Sequence, residues 1–120
     1  MKNLFVVIVI LFIFLASGCI GDEETNSENT ILSSDPQEAC IELCRQQIMN
    51  GVDLSLGPCL SENVNLAWEI DDWACDVAHE PRKDIDNNAL NQCQKVRKEE
   101  ITNFIEVSPN CEFIRKGTTE

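Results

Sequence analysis

The chain alternates in character along its length, from an apolar block to a polar stretch to a long mixed segment. Residues 4–16 form a run of 13 without a single polar side chain. Residues 22–34, DEETNSENTILSS, are acidic and polar, with only Ile31 and Leu32 apolar and no visible period. Beyond Ser34 a helical repeat begins. On a wheel of residues 36–50, Ala39, Cys40, Ile41, Leu43, Cys44 and Ile48 share one broad arc. Glu38, Glu42, Arg45 and Gln46 take the other side, and Met49 is the exception. That spacing predicts an amphipathic helix. Asp35 suits the cap, Pro36 the first helical position and Glu38 the third residue after the cap, while Gly51 supplies a stop.

Residues 52–61 read as a loop with a turn at Gly57-Pro58. Residues 63–70 suit a short helical turn. Trp73, Cys75, Val77 and His79 then alternate with Ala74, Asp76 and Ala78, which is the period of a strand ended by Pro81. Residues 84–100 lean helical, with Ile85, Ala89, Cys93 and Val96 on one face, although several Asn residues work against a helix. Residues 101–107 suit a strand, Ser108-Pro109-Asn110 a turn, and residues 111–114 a returning strand. The expected fold class is therefore α+β, a small domain with one amphipathic helix packed on short strands.

The apolar block changes the picture by giving the chain an address. Lys2 is the only charge ahead of it, and Ser17-Gly18-Cys19 closes it. A charged start, an apolar core and small residues at the end read as a secretory signal peptide. Counted on through Ile20 the block reaches 17 residues. A ~30 Å hydrocarbon core needs about 20 helical residues, so an uncleaved apolar N-terminal anchor helix is the alternative. A buried core helix fits poorly, because no face of the run is polar. In either membrane reading Lys2 stays on the cytoplasmic side and the remainder lies outside.

Leu15-Ala16-Ser17-Gly18-Cys19 resembles the lipobox of prokaryotic lipoproteins, and Gly18-Cys19-Ile20-Gly21 resembles the seam of many archaeal ones. The resemblance implies cleavage before Cys19 and lipid attachment to its thiol, with a two-chain anchor sufficient to hold the protein at a membrane. Ala16 stands where the bacterial pattern prefers Leu, with Leu15 one step further out. The expected organisation is a signal peptide over 1–18, a lipidated Cys19 with a flexible acidic tether over 19–34, a disulfide-stapled domain over 35–116 and a tail over 117–120. The 13 residues of 22–34 would span roughly 20 Å as a random coil, enough to lift the domain off a membrane surface. The downstream block, with GPCLS, WACDVAHEPR and NQC, is also similar to small cysteine-rich archaeal proteins, a likeness that implies no chemistry.

After cleavage the chain would carry 8 basic against 21 acidic residues, a net charge of −13. Nucleic acid is excluded as a natural partner, since phosphate binding wants a basic face. The surplus keeps the domain soluble and could attract divalent cations.

Seven cysteines are an odd number, and the seam cysteine accounts for the odd one. In an exported chain the other six, Cys40, Cys44, Cys59, Cys75, Cys93 and Cys111, are expected to form three disulfides. The large aromatics of 35–116 are only Trp68, Trp73, Phe104 and Phe113, so cross-links must supplement a small core. Cys40 and Cys44 lie one helical turn apart, so each is expected to pair across to another element. Six cysteines allow about 15 pairings. The favoured set joins Cys59 to Cys75, and Cys40 and Cys44 to Cys93 and Cys111 in either order. Zinc is the rival for these thiols, through a cluster of Cys40, Cys44 and His79, but the close C-x2-C pairs of zinc sites are missing. C-x-x-C redox chemistry has no motif here.

His79 is the only histidine, and with Glu80 and Arg82 it could build a polar site at a strand end, with the imidazole as general base; the plain alternative is a surface turn after the strand. HEPRK is not the H-E-x-x-H zinc motif, and neither a G-x-S-x-G elbow nor a P-loop occurs. Asp84, Asp86 and Asn88 match the first positions of a calcium loop, but Ala89 and Lys95 stand at the places that set its geometry. Asp71, Asp72 and Asp76, and Glu99 with Glu100, read as solvated faces, and Trp68 and Trp73 as core. No cofactor is implied and no catalytic residue is assigned. The expected function is a lipid-anchored, extracytoplasmic binding or structural module. The alternative is a small enzyme or metal-handling protein using His79, Glu80, Arg82 and free thiols.

Overall fold

A computed structural model describes residues 33–62 and 68–120. The apolar block, the seam at Cys19 and nearly all of the tether lie outside the described residues, as does most of the helical turn expected over 63–70. Among the described residues no helix is long and apolar enough to cross a membrane.

The predicted helix forms as α1, Pro36–Met49. Asp35 caps it, its Oδ1 accepting from the N–H groups of Gln37 and Glu38 at 3.0 Å each. The Glu38 carboxylate does not close a capping box. It accepts instead from the Ser33 hydroxyl, which in turn accepts from the Asp35 N–H. At the other end Gly51, at φ +78°, donates to Ile48 O, and Val52 donates to Gln47 O. These are the two bonds of a Schellman closure, and glycine takes the left-handed turn without strain.

The buried face of α1 is Ala39, Cys40, Leu43, Cys44 and Gln47. Gln47 takes the place that the wheel gave to Ile48, which is 46% exposed. The cause is where the two disulfides of the helix pull it. They lie along Cys40 and Cys44, one step around the barrel of the helix from the line through Ile41 and Ile48.

Three strands form one sheet in the order β1-β2-β3: β1 Trp73–Val77, β2 Asn103–Val107 and β3 Phe113–Thr118. β1 and β2 are parallel, and β2 and β3 form an antiparallel hairpin through the expected turn, with Cys111 N–H donating to Ser108 O at 2.8 Å. The returning strand starts at Phe113 and runs through Gly117 and Thr118, residues expected to be tail.

Period-two alternation gives the sheet two unlike faces. Cys75, Val77, Ile105 and Val107 pack with Cys40, Leu43, Cys44, Leu54 and Leu60 into the core, against which Ile41, Trp68 and Trp73 also pack. Trp68 adds an indole N–H bond to Trp73 O at 3.0 Å. The opposite face carries Ala74, Asp76, Phe104, Glu106, Arg115 and Gly117 and is overlain by the connection from β1 to β2.

That connection departs from the expected helix over 84–100. It holds a 3₁₀ turn, Asp84–Asn87, then an irregular stretch, then one helical turn, α2, Gln94–Arg97. Asn88 is the reason. Its side chain accepts from Leu90 N–H at 3.0 Å, offering the backbone a turn in place of a helical bond. Asp86 is likewise drawn aside by His79 and Lys83. α2 begins only after Cys93, where the Glu62 carboxylate accepts from the N–H groups of Gln94 and Lys95 at 2.7 Å each.

Three disulfides staple these parts: Cys40–Cys75, Cys44–Cys111 and Cys59–Cys93. Both helix cysteines pair across, as expected, and Cys44 joins Cys111. The pairing of Cys59 with Cys75 and that of a helix cysteine with Cys93 are both corrected. Alternation points Cys75 toward α1, where Cys40 meets it, whereas Cys59 bridges β1 at Asp76 and meets Cys93 beside the other face.

Peptide mapping under non-reducing conditions is expected to recover these three linkages. Replacing Cys44 and Cys111 together by Ala should cost about 2–5 kcal/mol in urea unfolding. That bridge spans 67 residues against 35 and 34 for the others. Its loss should therefore exceed theirs by roughly 0.6 kcal/mol, the loop-closure cost of one doubling.

Candidate functional site

The face of the sheet turned away from α1 carries two rows of side chains. Strand register sets Ala74 beside Phe104 and Phe104 opposite Gly117, and in the next row Asp76 beside Glu106 and Glu106 opposite Arg115. The Phe104 ring lies across Gly117, where a Cβ would meet ring carbon Cζ at 3.0 Å. The Arg115 guanidinium stands over the same ring, 5.0 Å from its centre. Above these rows Gln92, Cys93, Val96 and Arg97 of the connection close a cleft of about 190 Å³.

Glu106 is the charged centre of this cleft and is only 5% exposed. Arg82 donates Nη1–H to its Oε1 at 3.0 Å, and Arg115 donates to both of its oxygens. Burial raises the pKa of Glu106, but the hydrogen bonds and charges of the two arginines outweigh it and hold the carboxyl below its ordinary range. Arg82 is itself fixed by Asn87 Oδ1 at 3.2 Å.

Asp76, the neighbour in register, goes the other way. Burial, and after it the Glu106 carboxylate, push its pKa up to about 8, against a smaller opposing pull from Arg82. Its Oδ1 is buried without a hydrogen-bond partner among the described residues. At neutral pH the pair therefore holds one proton on Asp76 and one negative charge on Glu106. Asp76 is not part of a solvated face, unlike Asp71, Asp72, Glu99 and Glu100, which are exposed.

The residues singled out in the sequence are separated by their hydrogen bonds. His79, Glu80 and Arg82 all line an open groove of about 760 Å³, together with Ser55, Ser108 and Glu112. Within it His79 turns to Asp86, its Nδ1 2.8 Å from Oδ1, while Arg82 turns to Glu106 and Glu80 is exposed. Asp86 also accepts from the N–H groups of His79 and Lys83, at 3.1 and 2.9 Å. Burial opposes the charge on Asp86, yet these bonds and the His79 ring hold its carboxyl below the ordinary range. The group is a buried turn lock with an oriented imidazole.

Metal chemistry loses its thiols. Cys40 and Cys44 are oxidised, which dissolves the cluster with His79. Among the described residues Cys59, Cys93 and Asp76 bring ligand atoms within 4.8 Å of one another, but the two sulfurs are bonded to each other. The calcium-loop reading fails in a similar way, because Asp86 is spent on His79 and two backbone N–H groups.

The sequence places Asp76 on a solvated face and Asp86 in a calcium loop, and Arg97, Glu106 and Arg115 stand out in neither way. One signal was present: both WACDV and NFIEV place an acid one residue before a final Val. An acid repeated inside two strands marks a polar row across a sheet. No protein-family model, curated protein or solved structure matches the chain.

Asp76 has a folded pKa above its unfolded value, so its contribution to stability is complete below about pH 4 and is lost as pH rises toward 8. Asp76→Asn should abolish that loss. Between pH 5 and 8 the native chain should lose about 1–4 kcal/mol relative to the variant in urea unfolding, one pH unit being worth up to about 1.4 kcal/mol.

Glu106→Gln removes the anchor of two partly exposed arginines and should cost about 1.5–3 kcal/mol at pH 7. The pKa of Glu106 is depressed on folding, so its contribution is present at neutral pH and lost on acidification. The penalty of the variant should accordingly shrink in acid, and a carboxyl titration by NMR should show the Asp76 pKa falling.

Proposed function

We propose that this chain is a lipid-anchored binding module that works outside the cytoplasm and recognises a small ligand in the cleft at Asp76, Glu106 and Arg115. The observation that carries the reading is the distribution of sulfur. Seven cysteines are present, six are used in three disulfides, and the seventh is Cys19 at the end of the apolar block. Structural disulfides belong to oxidising spaces, which supports export. The acidic stretch over 22–34 then serves as a spacer between membrane and domain. Support for binding comes from the cleft, a concave surface that gathers a perturbed acid and several guanidinium groups.

A small enzyme is a second reading, and the His79–Asp86 contact is what favours it. A carboxylate on Nδ1 orients the ring and leaves Nε2 to act on a bound molecule. The metal-handling form of that reading lacks free thiols among the described residues.

Expression in a prokaryotic host, followed by fractionation and intact-mass analysis, tests the anchor. The native chain should enter the membrane fraction, lose residues 1–18 and gain lipid mass on Cys19. Cys19→Ser should abolish the lipid mass and release the domain. Membrane retention of Cys19→Ser with an intact leader would instead make the apolar block itself the anchor.

A further inference from the structure

The lining of the cleft is unlike the rest of the chain. The whole protein has a formal net charge of −12. Yet Arg82, Arg97 and Arg115 line this one cleft against the single charged carboxylate of Glu106, with Asp76 neutral near pH 7. Arg82 and Arg115 spend donors on Glu106, while Arg97 makes no ion pair among the described residues. The surrounding acidic surface acts over a Debye length of about 8 Å at physiological salt, so the local cations dominate inside the cleft.

A protonated carboxyl is a hydrogen-bond donor, and the guanidinium groups are donors only. The polar side of the cleft thus offers donors to a ligand. The apolar part of the lining is Ala74 and Phe104, in the neighbouring row of the sheet, and Val96 on α2 above them. The volume of about 190 Å³ equals the share of roughly six liquid waters, at about 30 Å³ each. A ligand that satisfies all three features has an anionic acceptor head, a short apolar body and few heavy atoms.

Resting on the reading of this cleft as a ligand site, we infer that it binds a small organic acid, the carboxylate held by Arg97, Arg115 and the Asp76 hydroxyl and the short hydrocarbon body lying on Ala74, Val96 and Phe104. A bare inorganic oxyanion would leave the apolar wall without contact. A cation would meet three guanidinium groups.

The charged and titratable groups around Asp76 are Glu106 from β2, Arg115 from β3, Arg97 from α2, and Arg82 and Asp86 from the segment before α2. Of these, Asp76 itself is the group whose pKa is brought near 8. Its ionisation removes a donor and adds a negative charge beside the ligand head, so affinity should fall as pH rises through that value.

The test is a titration of the full-length, ¹⁵N-labelled chain in detergent micelles with acetate, propionate, butyrate, inorganic phosphate and tetramethylammonium, read by amide shifts. Propionate or butyrate should saturate shifts at Ala74, Asp76, Val96 and Phe104, with phosphate at least tenfold weaker. Arg97→Ala, an exposed change on α2, should weaken butyrate at least tenfold with the remaining spectrum intact. The native affinity should drop several-fold from pH 6 to 9, and Asp76→Asn should bind at both pH values alike. Saturation of the cleft by phosphate alone or by tetramethylammonium would overturn the organic-acid assignment and leave the binding module standing. Probe shifts confined to residues outside the cleft, or none, would overturn both.

Discussion

Two disulfides one helical turn apart hold α1 against the sheet, and the rest of the arrangement follows from that double attachment. Cys40 reaches β1 and Cys44 reaches the end of the β2–β3 turn, so the helix crosses the sheet at a fixed angle and depth. A single cross-link would leave α1 free to pivot. With two, the side of every strand that faces the helix is decided, and alternation decides the other side as well. Leu43, Val77, Ile105 and Val107 fill the core only because this face is chosen. In a domain with so few large apolar residues, cross-links supply the specificity that a larger core would supply by packing.

The choice of face also explains where the charges go. An acid inside a strand costs little if it points away from the core, and both Asp76 and Glu106 do. They nevertheless sit side by side beneath the connecting segment, and two buried carboxylates so placed cannot both ionise cheaply. The arginines break the symmetry. Glu106 receives hydrogen bonds from Arg82 and Arg115, whereas Asp76 has the Cys59–Cys93 bridge near it and one carboxyl oxygen without a partner among the described residues. Unequal access to cations separates their pKa values in opposite directions. A proton and a charge are thus stored next to each other on adjoining strands.

The parts legible in the sequence are those decided locally. The cap at Asp35, the stop at Gly51, the turn at Ser108 and the strand over 101–107 each follow from a few neighbouring residues, and each occurs. The lateral pairing of Cys40 and Cys44 was legible for the same reason. What was not legible depends on residues distant in the chain. Ile48 and Gln47 exchange roles because the disulfides rotate the helix. The apolar spacing of Ile85, Ala89, Cys93 and Val96 imitates a helix, but Asn88, Asp86 and the bridge to Cys59 each claim a group that the helix would need. The Asp76–Glu106–Arg115 row exists only through strand register, which spacing along the chain does not contain. His79, conspicuous as the one histidine, is turned by its bond to Asp86 away from the row that gathers the charges.

The third disulfide differs in role from the other two. Cys59–Cys93 adds nothing to the attachment of α1; it ties the loop after the helix to the start of α2. α2 is a single turn of four residues, too short to be stable alone, and is kept in place by that bridge and by the Glu62 carboxylate at its N-terminus. Val96 and Arg97, which close the cleft, stand on this turn. Reduction of Cys59–Cys93 would therefore release the rim of the cleft while leaving α1, the core and the charged row connected through the remaining bridges. Oxidation is thus a condition of the cleft as well as of the fold.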